Sequence, residues 1–298
     1  MLAVERLSEI AGARVTGADL SQPLADSDFS RIEQALHDHC FVVFPGQRLS
    51  AFQFVDFSRH WGRPEPHVID TFHHPAGANI LILSNISRDG RPIGLQDAGT
   101  YFHTDYSYLE IPARSTILYA IQLPGAGSGT TFANQTRAYD DLPEATKVRI
   151  DPLVARHHYG NRDDINESSR TAASVLSADQ KAKVGWVQHR LARPHPRAGK
   201  KALYAVSGSS FGIEGMDDEK GLLLLDSLKA HATHERYRHT HDYTVGDVIV
   251  WDNAQLLHAA PLTDMTQART LWRVTIKEKA WAPGKVSAQG DLNGPIST

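Results

Sequence analysis

The chain has 298 residues and a formal net charge of −3, with 31 basic against 34 acidic side chains. This length suits one large domain, and the near balance of charge gives no reason to expect nucleic acid or an anionic membrane surface as a partner. The one cysteine, Cys40, excludes an internal disulfide bond and a thiolate-rich zinc or iron–sulfur site.

The first 25 residues predict short strands and turns rather than a targeting segment. Glu5, Arg6 and Glu9 interrupt the apolar stretch that a signal peptide would need. No apolar run in the chain approaches the ~18 residues that cross a membrane. We therefore expect a cytoplasmic protein with no membrane partner.

Two helices and a buried strand are predicted before residue 63. Ser27 has the side chain of a helix N-cap, and apolar residues after it fall on one helical face. Residues 40–44 form an apolar run that ends at a Pro-Gly turn, which indicates a buried strand with a structural thiol at Cys40. Ser50 is a second predicted N-cap, with its helix continuing to about Trp61.

From about residue 100 onward, short β-type runs recur between turn signals. Many short strands with such turns predict a mainly β jelly roll with flanking helices. We expect one domain over residues 1–298, with a lid-like insertion at about 160–200 where the sequence is polar and weakly patterned. The predicted strands cover residues 115–123, 130–133, 201–206, 236–243, 247–251 and 270–277, and the predicted helices cover 136–141, 144–150 and 217–232.

His103 and Asp105 place a histidine and a carboxylate two residues apart. In a strand, side chains at i and i+2 share a face, so the two would offer adjacent ligands to one metal ion. A distant second histidine would complete the two-histidine, one-carboxylate arrangement that binds Fe(II) and leaves coordination positions open. By itself, such a pair is more often a surface salt bridge.

Further polar residues follow near the C-terminus. A strand is predicted to end at Trp251-Asp252-Asn253, and His258 follows five residues later. Arg269 and Arg273 lie four residues apart, so in a strand they share a face. Two arginines on an inward face need anionic partners, which a dicarboxylate co-substrate and an anionic substrate would supply. The alternative is an edge strand with both arginines solvated.

The remaining histidines lack such a context. His189 and His195 are interpreted as structural or exposed. His239 and His241 would share a strand face and imitate a zinc pair, but no third ligand is evident.

Together these features resemble the taurine dioxygenase and 2,4-dichlorophenoxyacetate dioxygenase family of Fe(II)/2-oxoglutarate-dependent enzymes. The resemblance covers most of the chain, and its specificity lies in the order and spacing of the motifs. The matching motifs are Gly17-Ala18-Asp19-Leu20, Phe44-Pro45-Gly46-Gln47, Phe57-Ser58-Arg59-His60-Trp61-Gly62, Phe102-His103-Thr104-Asp105, Gly129-Thr130, Ala138-Tyr139-Asp140-Asp141-Leu142-Pro143, Trp251-Asp252-Asn253 with His258, and Arg269 with Arg273.

This resemblance implies a double-stranded β-helix, which is the jelly roll expected above. It assigns Fe(II) to His103, Asp105 and His258. It places the distal carboxylate of 2-oxoglutarate on Thr130 and Arg269.

The resemblance also points to substrate contacts. Arg273 matches the arginine that grips the anionic group of the substrate in taurine-type members, whereas in some relatives that arginine serves 2-oxoglutarate. His67 matches a substrate-contacting histidine. Tyr106 is a further candidate: with Tyr101 and Tyr108 it crowds the metal motif, and the three tyrosines either wall the pocket or pack the barrel.

The implied activity couples decarboxylation of 2-oxoglutarate by O2 to the oxidation of a small anionic substrate, with release of succinate and CO2. Hydroxylation is the first expectation, and desaturation stays open. A homo-oligomer, dimer or tetramer, is expected because similar proteins commonly form one. Taurine itself is not expected, because Asp70 stands where taurine enzymes have a tyrosine. The alternative is a metal-binding jelly roll or zinc hydrolase without oxygenase activity, for which Arg269 and Thr130 would have no use.

Overall fold

The computed structural model of the protein describes residues 1–125, 127–160, 162 and 176–277. Residues 161 and 163–175 of the predicted insertion lie outside the described residues, so the insertion stays a prediction. Within the described ranges, no helix combines the length and the apolar character needed to cross a membrane.

Most described elements are short strands. The strands are β1 (Ala3–Arg6), β2 (Ala13–Thr16), β3 (Phe41–Phe44), β4 (Pro64–Glu65), β5 (His73–His74), β6 (Gly77–Ser84), β7 (Ser87–Arg88), β8 (Arg91–Pro92), β9 (Ala113–Gln122), β10 (Thr130–Asn134), β11 (Val154–His157), β12 (Val187–Arg190), β13 (Ala192–Pro194), β14 (Lys201–Leu203), β15 (Ser210–Ile213), β16 (Arg238–His241), β17 (Val248–Asp252), β18 (Leu256–Ala259) and β19 (Thr270–Lys277). The helices are α1 (Asp26–His39), α2 (Ala51–Arg59), α3 (Gln135–Asp140), α4 (Glu144–Ile150), α5 (Ala178–Lys181) and α6 (Asp218–Ala232).

The larger sheet has nine strands. Its hydrogen-bonded order is β1-β2-β3-β17-β9-β19-β6-β5, and β4 pairs with the end of β19. Neighbouring strands are antiparallel except for β2 and β3. The long strands β9 and β19 pair along nearly their whole length and form the centre of the sheet.

The two faces of this sheet bury different side chains, because side chains alternate along a strand. In β17, Val250 packs in a cluster with α1 and α2, whereas Ile249 packs toward the second sheet. In β19, Trp272 packs on the helical side and Leu271 on the other. Arg273 is 9% exposed and follows the same alternation, so it points inward as the sequence predicts.

The smaller sheet has the order β16-β10-β18 and packs across the core from the larger one. Phe132 of β10 stacks on Phe41 of β3 with ring centroids 4.6 Å apart, and its ring centroid lies 5.7 Å from that of Trp251. A backbone bridge between His103 and His258 extends this sheet by one residue beside β18. Two sheets packed face to face, with helices outside, confirm the predicted jelly roll.

The predicted helix starts differ in outcome. Ser50 caps α2 as predicted: its hydroxyl accepts from the Gln53 N–H, and the Gln53 side-chain oxygen accepts from the Ser50 N–H. The prediction for Ser27 is wrong, because α1 begins at Asp26 and its N-cap residue, Ala25, has no side-chain acceptor. Acidic side chains in the first turn stabilise the positive end of that helix instead.

A third sheet, β12-β11-β15, packs with the β13–β14 hairpin, α3 and α6 in a separate buried cluster. His195, just after β13, ties this region to the larger sheet. Its Nε2 donates to Asp252 Oδ2 at 2.7 Å, and both side chains are buried. The His195 Nδ1 atom accepts from the Ala198 N–H at 2.6 Å, so the ring proton lies on Nε2.

We expect Asp252→Asn to weaken the fold at neutral pH and to have little effect in acid. Burial raises the pKa of Asp252, but His195 and nearby N–H donors outweigh it and lower that pKa from 3.8 to about 2. A carboxyl with a depressed pKa stabilises the fold fully above its unfolded value of ~3.9, and that stabilisation is lost as the pH falls through the folded value. Urea unfolding should show a loss of about 2 kcal/mol at neutral pH that fades between about pH 4 and pH 2. A loss independent of pH would contradict this role.

Candidate active site

His103 and His258 face each other at the edge of the smaller sheet. The His103 N–H donates to the His258 carbonyl at 3.0 Å, and the His258 N–H donates to the His103 carbonyl at 2.8 Å. This pairing sets the two rings side by side, with centroids 4.2 Å apart. The strand predicted around His103 is limited to this bridging residue, and Asp105 begins a turn.

Asp105 brings a carboxylate between the two histidines. Its Oδ1 lies 3.7 Å from His103 Nε2, and its Oδ2 lies 3.5 Å from His258 Nε2. One ligand atom from each of the three side chains lies within 4.8 Å of the others. In the described part of the chain, this is the one group of three or more His, Cys, Asp or Glu side chains found close enough to hold a metal ion.

The protonation of these side chains suits a divalent metal. Burial lowers the pKa of His103, and it lowers the pKa of His258 to about 3, so both rings are neutral near pH 7. His103 Nδ1 lies 2.8 Å from the Tyr101 carbonyl, which only accepts, so Nδ1 carries the proton and Nε2 is a free electron-pair donor. Two neutral imidazoles and one carboxylate are the donor set of ferrous sites with open positions.

A buried chain of hydrogen bonds orients Asp105. The Thr116 hydroxyl donates to Asp105 Oδ2 at 2.6 Å, and Asn253 Nδ2 donates to the Thr116 hydroxyl at 3.0 Å. Asn253 Oδ1 accepts from the Trp251 indole N–H at 3.1 Å and from the Asp105 N–H at 3.3 Å. Sequence reasoning quoted Asn253 only within a motif and missed Thr116, because only the pairing of β9 with β17 places that threonine opposite Trp251.

Arg273 balances the charge of the carboxylate. Its Nη1 lies 3.5 Å from Asp105 Oδ1, with side chains 10% and 5% exposed. Burial raises the pKa of Asp105, but Arg273, His258 and His103 together outweigh it and hold that pKa below its ordinary value. Asp105 is therefore an anion near neutral pH. Arg273 also lines two pockets that meet at the metal-binding side chains.

The inner pocket lies between the histidine pair and a polar end wall. Its polar lining consists of His103, His258, Thr130, Arg269 and Arg273. Arg269 is half-buried, and burial lowers the pKa of its guanidinium, although nearby oxygen-bearing side chains oppose that shift. The pocket therefore extends from the imidazoles of His103 and His258 to the Arg269 guanidinium and the Thr130 hydroxyl. This arrangement suits a dicarboxylate.

Two further residues shape the inner pocket. Tyr243 is buried and donates its hydroxyl to Thr130 Oγ1 at 2.6 Å. Gly99 has a φ of +72°, and a Cβ there would lie 2.5 Å from His103 Cε1, so only glycine fits beside that ring. Sequence reasoning missed both roles. The strand pairing that brings Thr130 opposite His241 also brings Tyr243 near, and no local pattern encodes it.

The outer pocket lies on the other side of Arg273. It is partly open to solvent. Tyrosine rings form an edge-to-face series on its wall: the ring centroids of Tyr106 and Tyr108 lie 5.8 Å apart, and those of Tyr108 and Tyr159 lie 4.7 Å apart. Tyr101 also lines this pocket, so the three tyrosines near the metal motif wall the cavity.

His67 lies on the same wall. Its Nδ1 accepts from the Ile69 N–H at 3.1 Å, so the proton of the neutral ring lies on Nε2. Burial and then Arg273 hold the pKa of His67 well below its ordinary value. The ring centroid lies 6.0 Å from that of Tyr106. His67 is therefore a neutral hydrogen-bond donor that shares the outer pocket with the positively charged Arg273.

All eight side chains singled out in the sequence thus line the two pockets. His103 and Arg273 line both pockets. His258, Thr130 and Arg269 line the inner pocket, and Asp105, His67 and Tyr106 line the outer one. The residues that sequence reasoning did not assign to the site are Thr116, Tyr243, Tyr159, Ser209 and Gly99.

Comparison with protein families gives one match over nearly all of the described chain. The family model described as "Taurine catabolism dioxygenase TauD, TfdA family" matches residues 3–275. Its match begins in β1 and ends in β19, so it includes every candidate residue named above.

Individual relatives are similar over most of their lengths. The alpha-ketoglutarate-dependent 2,4-dichlorophenoxyacetate dioxygenase of Cupriavidus pinatubonensis is 30% identical over 290 residues, which cover 92% of this chain and 97% of that protein. The (S)-phenoxypropionate/alpha-ketoglutarate-dioxygenase of Delftia acidovorans is 30% identical over 279 residues, 88% of this chain and 90% of that protein. The crystal structure of AAD-2 in complex with Mn(II) and N-oxalylglycine superposes with a TM-score of 0.77 at 27% identity, covering 94% of this chain and 98% of that one.

Proposed function

This chain belongs to the taurine catabolism dioxygenase TauD, TfdA family, and we propose that it holds Fe(II) on His103, Asp105 and His258 to oxidise a small organic anion with 2-oxoglutarate and O2. Dependence on 2-oxoglutarate follows from the family and from the relatives named above. The observation that carries the metal assignment is the convergence of three ligand atoms within 4.8 Å of one another, with Asp105 and His258 buried and His103 partly buried. When bound, a ferrous ion supplies open coordination positions at which 2-oxoglutarate and O2 react to give succinate and CO2.

The inner pocket is the proposed site of 2-oxoglutarate. Arg269 would pair with the distal carboxylate, because a guanidinium binds a carboxylate through two parallel hydrogen bonds. Thr130 would donate its hydroxyl proton to the same group. Its oxygen already accepts from the Tyr243 hydroxyl, so its own proton is directed elsewhere. The other end of 2-oxoglutarate would then lie beside His103 and His258.

The outer pocket is the proposed site of the oxidised substrate. Arg273 would attract its anionic group, and His67 would donate an N–H to it. The tyrosine rings would pack on its carbon skeleton and keep water from the reacting C–H bond. Two relatives are named for 2,4-dichlorophenoxyacetate and (S)-phenoxypropionate. Carboxylates that carry an aromatic ring are therefore the first class of substrate to test.

The test is succinate release in air from protein reconstituted with Fe(II), ascorbate and 2-oxoglutarate. We expect slow release without substrate and faster release with one member of a panel of aryloxy carboxylates, other carboxylates, sulfonates and sulfate esters. Metal-loaded, folded protein that consumes no 2-oxoglutarate with any member of the panel would contradict the proposal and favour a metal-binding protein or zinc hydrolase on the same ligands.

We expect Tyr243→Phe to raise the KM for 2-oxoglutarate about fivefold to tenfold, which corresponds to one hydrogen bond of roughly 1 kcal/mol. Without the tyrosine hydroxyl, the Thr130 hydroxyl is free to rotate away from the carboxylate. The KM for the organic anion should not change. Tyr237→Phe is a matched control, because that buried hydroxyl bonds to Asp141 away from both pockets. Equal effects on both KM values would contradict a role in the inner pocket.

A further inference from the structure

His189 is a buried histidine that the proposed chemistry does not use. It lies in β12, is 1% exposed, and its Nε2 lies 2.8 Å from the Ser107 carbonyl. Because a carbonyl only accepts, Nε2 is the donor. Burial and then Arg193 lower the pKa of His189 to about 4, so the ring is neutral near pH 7 and its single N–H is given to Ser107.

Ser107 lies in a strained turn that walls the outer pocket. Tyr106, just before it, has a φ of 56°, in the left-handed region that residues with side chains seldom adopt. The Tyr106 carbonyl accepts from the Leu109 N–H at 2.9 Å, which closes the turn. Tyr106 and Tyr108 flank Ser107 in sequence, and all three line the pocket. Such a backbone conformation persists only where surrounding contacts hold it.

The sheet that contains His189 is also followed or preceded by residues that line the outer pocket. Tyr159 and Ser209 both line the pocket, the first following β11 and the second preceding β15. Both strands belong to the β12-β11-β15 sheet. The hydrogen bond from His189 to Ser107 therefore joins the turn that follows Asp105 to the β12-β11-β15 sheet. The placement of the Tyr106 and Tyr108 rings relative to Tyr159 and Ser209 depends on this hydrogen bond.

We propose that His189 is a positioning residue that sets the shape of the outer pocket by holding the Ser107 turn, and thereby selects which organic anions are accepted. The proposal rests on the proposed function only in taking the outer pocket as the substrate site. His189 does not touch the reacting groups; it acts through the rings of Tyr106 and Tyr108.

The structural test uses full-length protein labelled with 3-fluorotyrosine, without metal, co-substrate or substrate. Tyr106→Phe and Tyr108→Phe assign two of the nine tyrosine signals in the 19F NMR spectrum. His189→Leu should shift or broaden these two signals, and His189→Gln, whose amide reaches the Ser107 carbonyl, should restore them. His231→Leu is the matched control, because His231 Nε2 donates to the Ala138 carbonyl at 2.7 Å, outside both pockets. If His189→Leu does not fold, His189→Asn replaces it, since its amide is too short to reach Ser107.

Unchanged Tyr106 and Tyr108 signals in His189→Leu, or in the replacement His189→Asn, would overturn the proposal, whatever the activity. With the anion that best stimulates the wild-type enzyme, His189→Leu should raise its KM about tenfold and leave the KM for 2-oxoglutarate unchanged. Equal increases in both KM values would reduce His189 to a general structural role and would also overturn the proposal. A wild-type protein that never releases succinate would contradict the proposed function but not the role of His189, because the NMR result does not depend on activity.

Discussion

His258→Ala should lower the rate of succinate release at least about a thousandfold while the protein stays folded. The reason is that the variant keeps only His103 and Asp105 as ligands, and loss of several kcal/mol of metal-dependent stabilisation corresponds to such a factor. His258 also donates its backbone N–H to His103, and alanine keeps that bond, so the edge of the smaller sheet should persist. Succinate release, bound iron and circular dichroism measured on the same sample test this.

The control for this variant is His239→Ala. His239 lies in β16 of the same small sheet, its ring lies 5.6 Å from that of Phe41, and it does not belong to the metal-binding group. We expect it to retain iron and turnover. An active His258→Ala protein with a wild-type iron content would remove the basis of the metal assignment.

Arg269→Gln should raise the KM for 2-oxoglutarate about a hundredfold and leave the KM for the organic anion almost unchanged. A hydrogen-bonded pair of opposite charges contributes roughly 1.5–3 kcal/mol, and glutamine removes the charge while keeping a donor. Among the described residues the Arg269 guanidinium donates no hydrogen bond, so the loss should fall on the ligand rather than on the fold. Steady-state kinetics with each substrate varied in turn measures both constants.

Arg273→Gln is the paired variant that separates the roles of the two arginines. We expect it to raise the KM for the organic anion and to leave that for 2-oxoglutarate close to wild type. Arg273 also contacts Asp105 at 3.5 Å, so these assays need saturating Fe(II) to keep metal loading equal. If instead Arg269→Gln leaves the KM for 2-oxoglutarate unchanged and Arg273→Gln raises it, the roles of the two arginines are exchanged.

Much of the fold was predictable because its signals are local. Capping at Ser50, the apolar run of β3 and the alternation of Leu271, Trp272 and Arg273 each depend on residues within a few positions of one another. The strand that carries His258 was not predicted. β18 has only four residues, and Leu256 and Leu257 are both buried on opposite faces, so no alternation of polar and apolar residues marks it.

The candidate site divides in the same way. His103, Asp105, His258 and the two arginines were recognisable from their spacing and from the resemblance of the motifs to a known family. The two histidines are close in space because a backbone bridge joins His103 to His258, which lie 155 positions apart in the sequence.

Sequence alone therefore predicted the jelly-roll class, the candidate metal ligands and the pair of residues proposed to bind a dicarboxylate. Only the tertiary structure decided which side chains support them: Thr116 beneath Asp105, Tyr243 behind Thr130, and His189 behind the tyrosine turn. The physical reason is that these three act through strand register and through contacts between separate sheets. Such contacts join residues distant in sequence, and no short-range pattern of apolar and polar residues records them.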